Sequence, residues 1–434
     1  MRVYDFFIHP GLALMGGLCG RRSTAVFLAA AFLLSLILAG CGPRRNDPNR
    51  VIIWHQMRPD EQVILQRQLA RYMKLHPGIV VQELFKETET LRSGYVIAAL
   101  AGQGPDLVYG PSDPIGVYEA TKSIRPLEDL FSAPYLSEFD PMALTSYRGH
   151  LYQIADKIGN HLALVYNKKY VRTPPQTDVD LIKLGKSIQH TYGYTAGRPN
   201  VYGLTWNYIE PFFFIPFYTG FGGWVFELDG VTPSLDNQAM INALNFVREL
   251  RDRHKIIPHE ADYEIADALF KDGKAAMLIN GDWSWSGYAQ KGIEIGIAPL
   301  PKITATGLWC APMSSPKGYS INVNVPKEKL PLIVELLKYL LSADNQLETV
   351  RALDTAPTRK SLYTLPEVER NEILQNSLLQ IARGRPMPVV PEMRAVWDAM
   401  RPGYQAVMGG AETPAQAAKE MQALAVRKIR EMNE

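Results

Sequence analysis

Behind the pair Arg21-Arg22 the chain runs apolar from Ala25 to Leu38, fourteen residues, and exits through the small residues Ala39-Gly40. A spanning helix needs about 20 apolar residues, so this run does not span. Charged start, short apolar run and small exit are the pattern of a secretory signal. Gly42 to Arg50, with two prolines and four charged residues, reads as a flexible tether. Val51-Ile52-Ile53-Trp54 predicts a strand. Leu65, Leu69, Tyr72 and Met73 then fall at i, i+4, i+7, i+8 and predict a helix that stops at His76-Pro77-Gly78. Ile79-Val80-Val81 predicts a second strand, Leu91, Tyr95, Ala98 and Ala99 a second helix, and Asp106 to Tyr109 a third strand after the Gly104-Pro105 turn. Alternating strands and helices predict a parallel sheet covered on both faces. Further on, Met240, Leu244, Val247 and Leu250 mark a helix with Asp236 as its expected N-cap, and Thr413-Pro414 reads as the N-cap and first position of the C-terminal helix.

Leu38-Ala39-Gly40-Cys41 resembles a bacterial lipobox, in which the cysteine is lipidated and becomes the new N-terminus. This implies a signal peptide over 1–40, a tether over 41–50, and a chain exported and held to a membrane by its lipid, facing the periplasm or the cell exterior. Of the whole-chain charge of +2, the signal carries the +2 of Arg2, Arg21, Arg22 and Asp5, leaving the remainder near neutral. A nucleic-acid-wrapping surface needs a basic bias that is absent here, so no nucleic-acid partner is expected. No second run of eighteen apolar residues follows. The cysteines are Cys19, Cys41 and Cys310; after processing and lipidation only Cys310 is free, so no internal disulfide is expected, and no Cys/His spacing suits zinc. No metal and no cofactor are expected.

Several blocks follow one another in a telling order. They are Ala99 to Asp106, Leu164-Val165-Tyr166-Asn167-Lys168, Phe270 to Met277 with Asn280-Gly281-Asp282-Trp283, Ala298-Pro299-Leu300-Pro301, and Pro357-Thr358-Arg359. In that order they resemble the bacterial family 1 extracellular solute-binding proteins, the sugar receptors of ABC importers, and within that family its maltodextrin-binding branch. The resemblance implies an α/β, two-lobed periplasmic-binding-protein fold of type II-like topology, with ligand in the cleft between lobes and three hinge crossings, near Asn160, Gly318 and Thr355–Pro357. It places 51–158 and 318–354 in an N-terminal lobe and 159–317 and 355–434 in a C-terminal lobe. The implied partners are a small carbohydrate, the permease subunits and, through them, an ATPase; a monomer without enzymatic activity is expected.

Sugars present flat C–H faces and a rim of hydroxyls, so a sugar site wants aromatic platforms and hydrogen-bonding carboxylates or amides. By resemblance, Trp283, Trp397 and Phe212 match platform positions, and Glu210 and Asp113 match polar ones. Tyr319 lies beside a crossing where an aromatic is common. Most of the dense aromatic run from Phe212 to Phe226 reads as core instead, because so many rings cannot face one cleft. The chain also departs from the maltodextrin pattern: Gly110 and Pro114 replace a tryptophan and an arginine, Arg58-Pro59 replaces an Asp-Lys pair, and Asn160 replaces a carboxylate. Fewer platforms point to a smaller glycan or glycoside. Arg58 keeps open a receptor for a phosphorylated polyol such as a glycerophosphodiester. Glu210, Asp113 and Asp282 leave a glycoside hydrolase conceivable, though no motif fixes the two flanking carboxylates that hydrolysis requires.

If Cys41 is lipidated, the protein partitions with membranes and Cys41→Ser leaves it uncut. Cell fractionation and the mass of the mature N-terminus test this; a Cys41→Ser chain still cleaved before residue 41 would overturn it.

Overall fold

The computed structural model describes residues 47–434. The signal, Cys41 and the first part of the tether fall outside that range; the tether's last residue, Arg50, already opens the first strand.

Two sheets organise the chain. The first takes β1 (Arg50–His55), β2 (Val80–Phe85), β3 (Leu107–Pro111), β4 (Leu144–Tyr147) and β5 (His150–Gly159) from the N-terminal part, then β12 (Met313–Ile321), β13 (Ala356–Pro357) and β14 (Arg385–Pro386) from much later. Its main order is β13-β5-β12-β3-β1-β2. The second sheet is β6 (Leu162–Asn167), β9 (Tyr202–Thr205), β10 (Ala275–Gly281) and β11 (Ile295–Ala298), in the order β11-β6-β10-β9; β7 (Tyr194–Thr195) and β8 (Arg198–Pro199) form a separate small hairpin.

β1, β2 and β3 are parallel, as the strand-helix alternation predicts. The sheet as a whole is mixed, because β12 inserts antiparallel between β3 and β5. That pairing brings Gly318 against Ala155, and a Cβ on Gly318 would lie 2.4 Å from the Ile154 carbonyl oxygen.

Local signals account for the helix ends. Helix Pro59–Leu75 starts with proline in its first turn and buries Leu65, Leu69 and Tyr72. Helix Gln238–Asp252 is capped by Asn237, whose side chain accepts from the Met240 N–H, and not by Asp236. Both residue types cap well; the extended backbone falls at position 237. Thr413 caps helix Pro414–Asn433 with Gln416 completing a capping box.

The chain leaves the first sheet after Gly159 and enters the second at Leu162. It returns between Ala298 and Met313. It crosses again after β13, since helix Glu392–Gly409 contributes Met393, Trp397 and Met400 to the core that also holds β6, β10 and β11. Thr358 and Arg359 still bond to the first lobe, through the Ala155 and Leu341 carbonyls. Gly318 lies inside β12, five residues past its start.

Gly318→Ala is expected to destabilise the protein by about 1–3 kcal/mol, the usual cost of overpacking. Gly94, inside helix Thr88–Leu100, has open space where a Cβ would stand, so Gly94→Ala should stabilise by about 0.5–1 kcal/mol. Urea unfolding of the two variants checks the opposite signs.

Candidate ligand-binding site

In open α/β sheets the carboxyl ends of parallel strands face the ligand crevice. Here β1 runs out toward Gln56 and Arg58, β3 toward Asp113, β9 toward Asn207 and Glu210, and β10 into Trp283. All of these side chains line one cavity of about 290 Å³. Helix Glu392–Gly409 adds Trp397, and the first crossing adds Asn160.

The aromatic wall is built from the second lobe. Trp283 follows the fully buried strand β10, and its indole lies where a Cβ on Gly281 would stand, 2.0 Å from the ring. Only glycine permits that approach. The indole N–H donates to the Tyr263 hydroxyl at 3.1 Å. Phe212 stands between the two tryptophans, with ring centroids 6.3 Å from Trp283 and 6.4 Å from Trp397. Most of the neighbouring aromatic run, including Phe213, Phe214, Phe217 and Tyr218, is core.

The polar groups are held by partners before any ligand arrives. Asp113, 7% exposed, accepts from Arg92 at 2.6 Å; burial nonetheless raises its carboxyl above the ordinary range, with Arg92 opposing. Glu210 receives Arg401 at 3.1–3.3 Å, and burial likewise outweighs the arginine and raises its pKa. Arg401 is four residues after Trp397, so both project from one face of the helix. Asn160 sits in the left-handed region at φ +42°, and its amide donates to the Ser315 hydroxyl at 3.0 Å.

Arg58 lines the cavity but is engaged across it. Its guanidinium lies 4.2 Å from the ring centroid of Tyr263 in the opposite lobe, a cation–π contact. Lys317 of the first lobe lies 5.4 Å over Trp283 in the same manner. Behind them Glu61 is buried at the cavity wall, bonded to Lys157 and, at 3.5 Å, to Lys317, while its other oxygen accepts from the Arg58 backbone N–H at 2.8 Å.

Seven of the eight expected ligand residues therefore meet in one cavity: Trp283, Trp397, Glu210, Phe212, Asp113, Arg58 and Asn160. Tyr319 does not. It is 1% exposed, its ring stacks 4.7 Å from Tyr109, and it belongs to the core of the first lobe. β12 has already run inward at that point; Lys317, two residues earlier, is the side chain at the cavity. Tyr263, Lys317, Glu61 and Arg92 join the lining without any local sequence signal.

The chain belongs to the bacterial extracellular solute-binding proteins, whose pattern it matches over residues 68–376. These are binding proteins and not enzymes, which removes the hydrolase reading. The chain is 44% identical to the maltose/maltodextrin-binding domain MalE from Bdellovibrio bacteriovorus, a structure bound to maltotriose, with a TM-score of 0.84 over 88% of this chain and all of that one. It is 28% identical to the maltotriose-binding protein of Pyrococcus abyssi over 81% of this chain and 76% of that one. A more distant relative, at 21% identity over 87% of this chain and 90% of its own, is a maltooligosaccharide ABC transporter solute-binding lipoprotein of Streptococcus pneumoniae.

Burial alone would raise the Glu61 carboxyl, but Lys157 and Lys317 outweigh it and hold it at about 2, against an ordinary 4.5. A depressed carboxylate contributes stability above its unfolded pKa and loses it as pH falls through the folded one. Glu61→Gln removes the carboxylate that both buried lysines contact and should cost about 3–5 kcal/mol at neutral pH. The gap from wild type should narrow as pH falls from about 4.5 to about 2, which urea midpoints across that window measure.

Proposed function

We propose that this protein captures a short malto-oligosaccharide, in the maltose to maltotriose range, outside the cytoplasmic membrane and delivers it to an ABC importer. The observation that carries this reading is the joining of three aromatic rings, Trp283, Phe212 and Trp397, to paired carboxylates in one cavity. Rings offer faces to the C–H surfaces of a pyranose. Carboxylates fixed by Arg92 and Arg401 keep oxygens for sugar hydroxyls without the cost of ordering them on binding. The maltotriose bound by the 44% identical relative supports the same chemistry. The replacement of an expected tryptophan by Gly110 removes a platform and favours the short end of the range.

In this reading the two lobes, expected at 51–158 with 318–354 and at 159–317 with 355–434, act as two bodies that close on the sugar, with all of β12 and the 356–359 stretch on the first-lobe side. The chain works as a monomer, tethered through lipidated Cys41, and docks on permease subunits that couple to an ATPase.

The charge of the cavity argues against a phosphorylated polyol. Glu61, Glu87, Glu89, Asp113 and Glu210 outnumber Arg58, Arg92 and Lys317 among the lining residues. Arg58 is stacked on Tyr263 and Lys317 is bonded to Glu61, so neither converges on a free anion site.

A thermal-shift screen against sugars tests the reading, since ligand at 100 times its Kd adds about 2.7 kcal/mol of stability. Malto-oligosaccharides should raise the Tm and glycerophosphodiesters should not. Truncating an aromatic anchor costs about 2–4 kcal/mol, so Trp283→Ala should weaken sugar binding roughly 30- to 1,000-fold while the lobes still fold. Trp54, half-buried on β1, is the control: Trp54→Ala should lower stability more than affinity. Unchanged affinity in Trp283→Ala would show that the sugar sits elsewhere.

A further inference from the structure

A second cavity, of about 330 Å³, lies against the first, and the two share Arg92, Asp113 and Trp397. Its chemistry differs. Apart from Ser93 and Arg394 its remaining walls are apolar or aromatic, among them Val96, Ile97, Val117, Tyr118 and Met393. It sits where the two lobes meet: a Cβ on Gly116 of the first lobe would stand 2.0 Å from the Val389 carbonyl oxygen, two residues before Pro391, the N-cap of helix Glu392–Gly409.

We propose that this cavity is a subsite for an apolar aglycone, an aryl or alkyl group on the anomeric oxygen of a sugar held in the first cavity; it rests on the sugar-binding reading above. Another sugar ring suits it poorly. A pyranose carries hydroxyls around its rim, and burying them without partners costs free energy. Arg92 and Asp113 stand at the junction between the cavities. There one Asp113 carboxylate oxygen and the Arg92 Nε are buried with no hydrogen-bond partner among the described residues. The pair thus keeps hydrogen-bonding capacity for an oxygen-bearing group at the junction, with apolar walls beyond it. A glycosidic linkage followed by an aglycone has that order of chemistry. Size is not limiting, since an apolar cavity of about 150 Å³ holds a benzene ring.

Calorimetric titration of the full chain, in a detergent without a sugar headgroup, with maltose, maltotetraose and phenyl α-maltoside tests the assignment. Burying the phenyl ring should make phenyl α-maltoside bind about 10- to 100-fold tighter than maltose. Val117→Asn should remove that gain and leave maltose affinity unchanged. Ile97 is 69% exposed, so Ile97→Ser preserves folding and should reduce the gain in the same direction. Equal or weaker binding of the phenyl glycoside overturns the subsite, as does a gain that survives both substitutions. A maltotetraose gain that Val117→Asn abolishes would make the occupant a sugar ring and overturn the aglycone. Absence of binding by all three ligands would instead overturn the sugar-binding reading, and the subsite with it.

Discussion

A buried carboxylate holds the cleft in shape. Glu61 sits in the first turn of helix Pro59–Leu75, Lys157 on β5 and Lys317 on β12, and the three side chains meet out of solvent. β5 runs directly into the first crossing, and β12 begins where the chain returns from the second lobe. One ion cluster therefore fixes a helix end to both strands that lead across. The helix end in turn sets Arg58 against Tyr263 and Asp60 to accept from the Ser286 hydroxyl, two contacts that span the lobes. Removing one partner of such a cluster strands a charge in a low-dielectric interior. The cost would fall on the relation between the lobes, beyond the stability of the first one alone.

The same economy governs the cleft. Three of the carboxylates that face it have a cation already bound: Asp113 has Arg92, Glu210 has Arg401, and Glu89 has both Arg92 and Arg394; Glu87 instead accepts from backbone N–H groups as a helix N-cap. Arg394 comes from the second lobe and Glu89 from the first, so this last pair links the two bodies. Aromatic rings can then supply area without competing for those hydrogen bonds. A neutral hydroxylated ligand fits such a surface, because it adds hydrogen bonds without adding charge to a lining already rich in carboxylates.

The sequence made some of this legible. Helices whose apolar spacing is regular, such as the one burying Leu65, Leu69 and Tyr72, follow from local periodicity. Trp283 sits in one of the blocks whose order carries the family resemblance, Trp397, Phe212 and Glu210 match positions outside those blocks, and all four line the cavity. What was not legible depends on depth and on distant pairing. Tyr319 lies two residues beyond Lys317 on one strand, yet one is core and the other cleft; spacing along a strand does not tell how far it has run into a lobe. Arg92, Tyr263 and Glu61 acquire their place only when segments tens to hundreds of residues apart meet. The insertion of β12 between β3 and β5, which makes the first sheet mixed, is the same kind of fact.

Trp397 stands where these constraints converge. Its helix carries Arg394 three residues before it and Arg401 four after, so one helical face presents a cross-lobe ion pair, a ring and the partner of Glu210. The ring is 5% exposed, packed in the second-lobe core and yet bordering both cavities. A rotation of this helix would move the cross-lobe pair, the platform and the Glu210 carboxylate together. If the lobes close on ligand as proposed, this one helix would couple closure to ligand contact, because a ligand that holds the ring in place would also favour the arrangement in which Arg394 reaches Glu89.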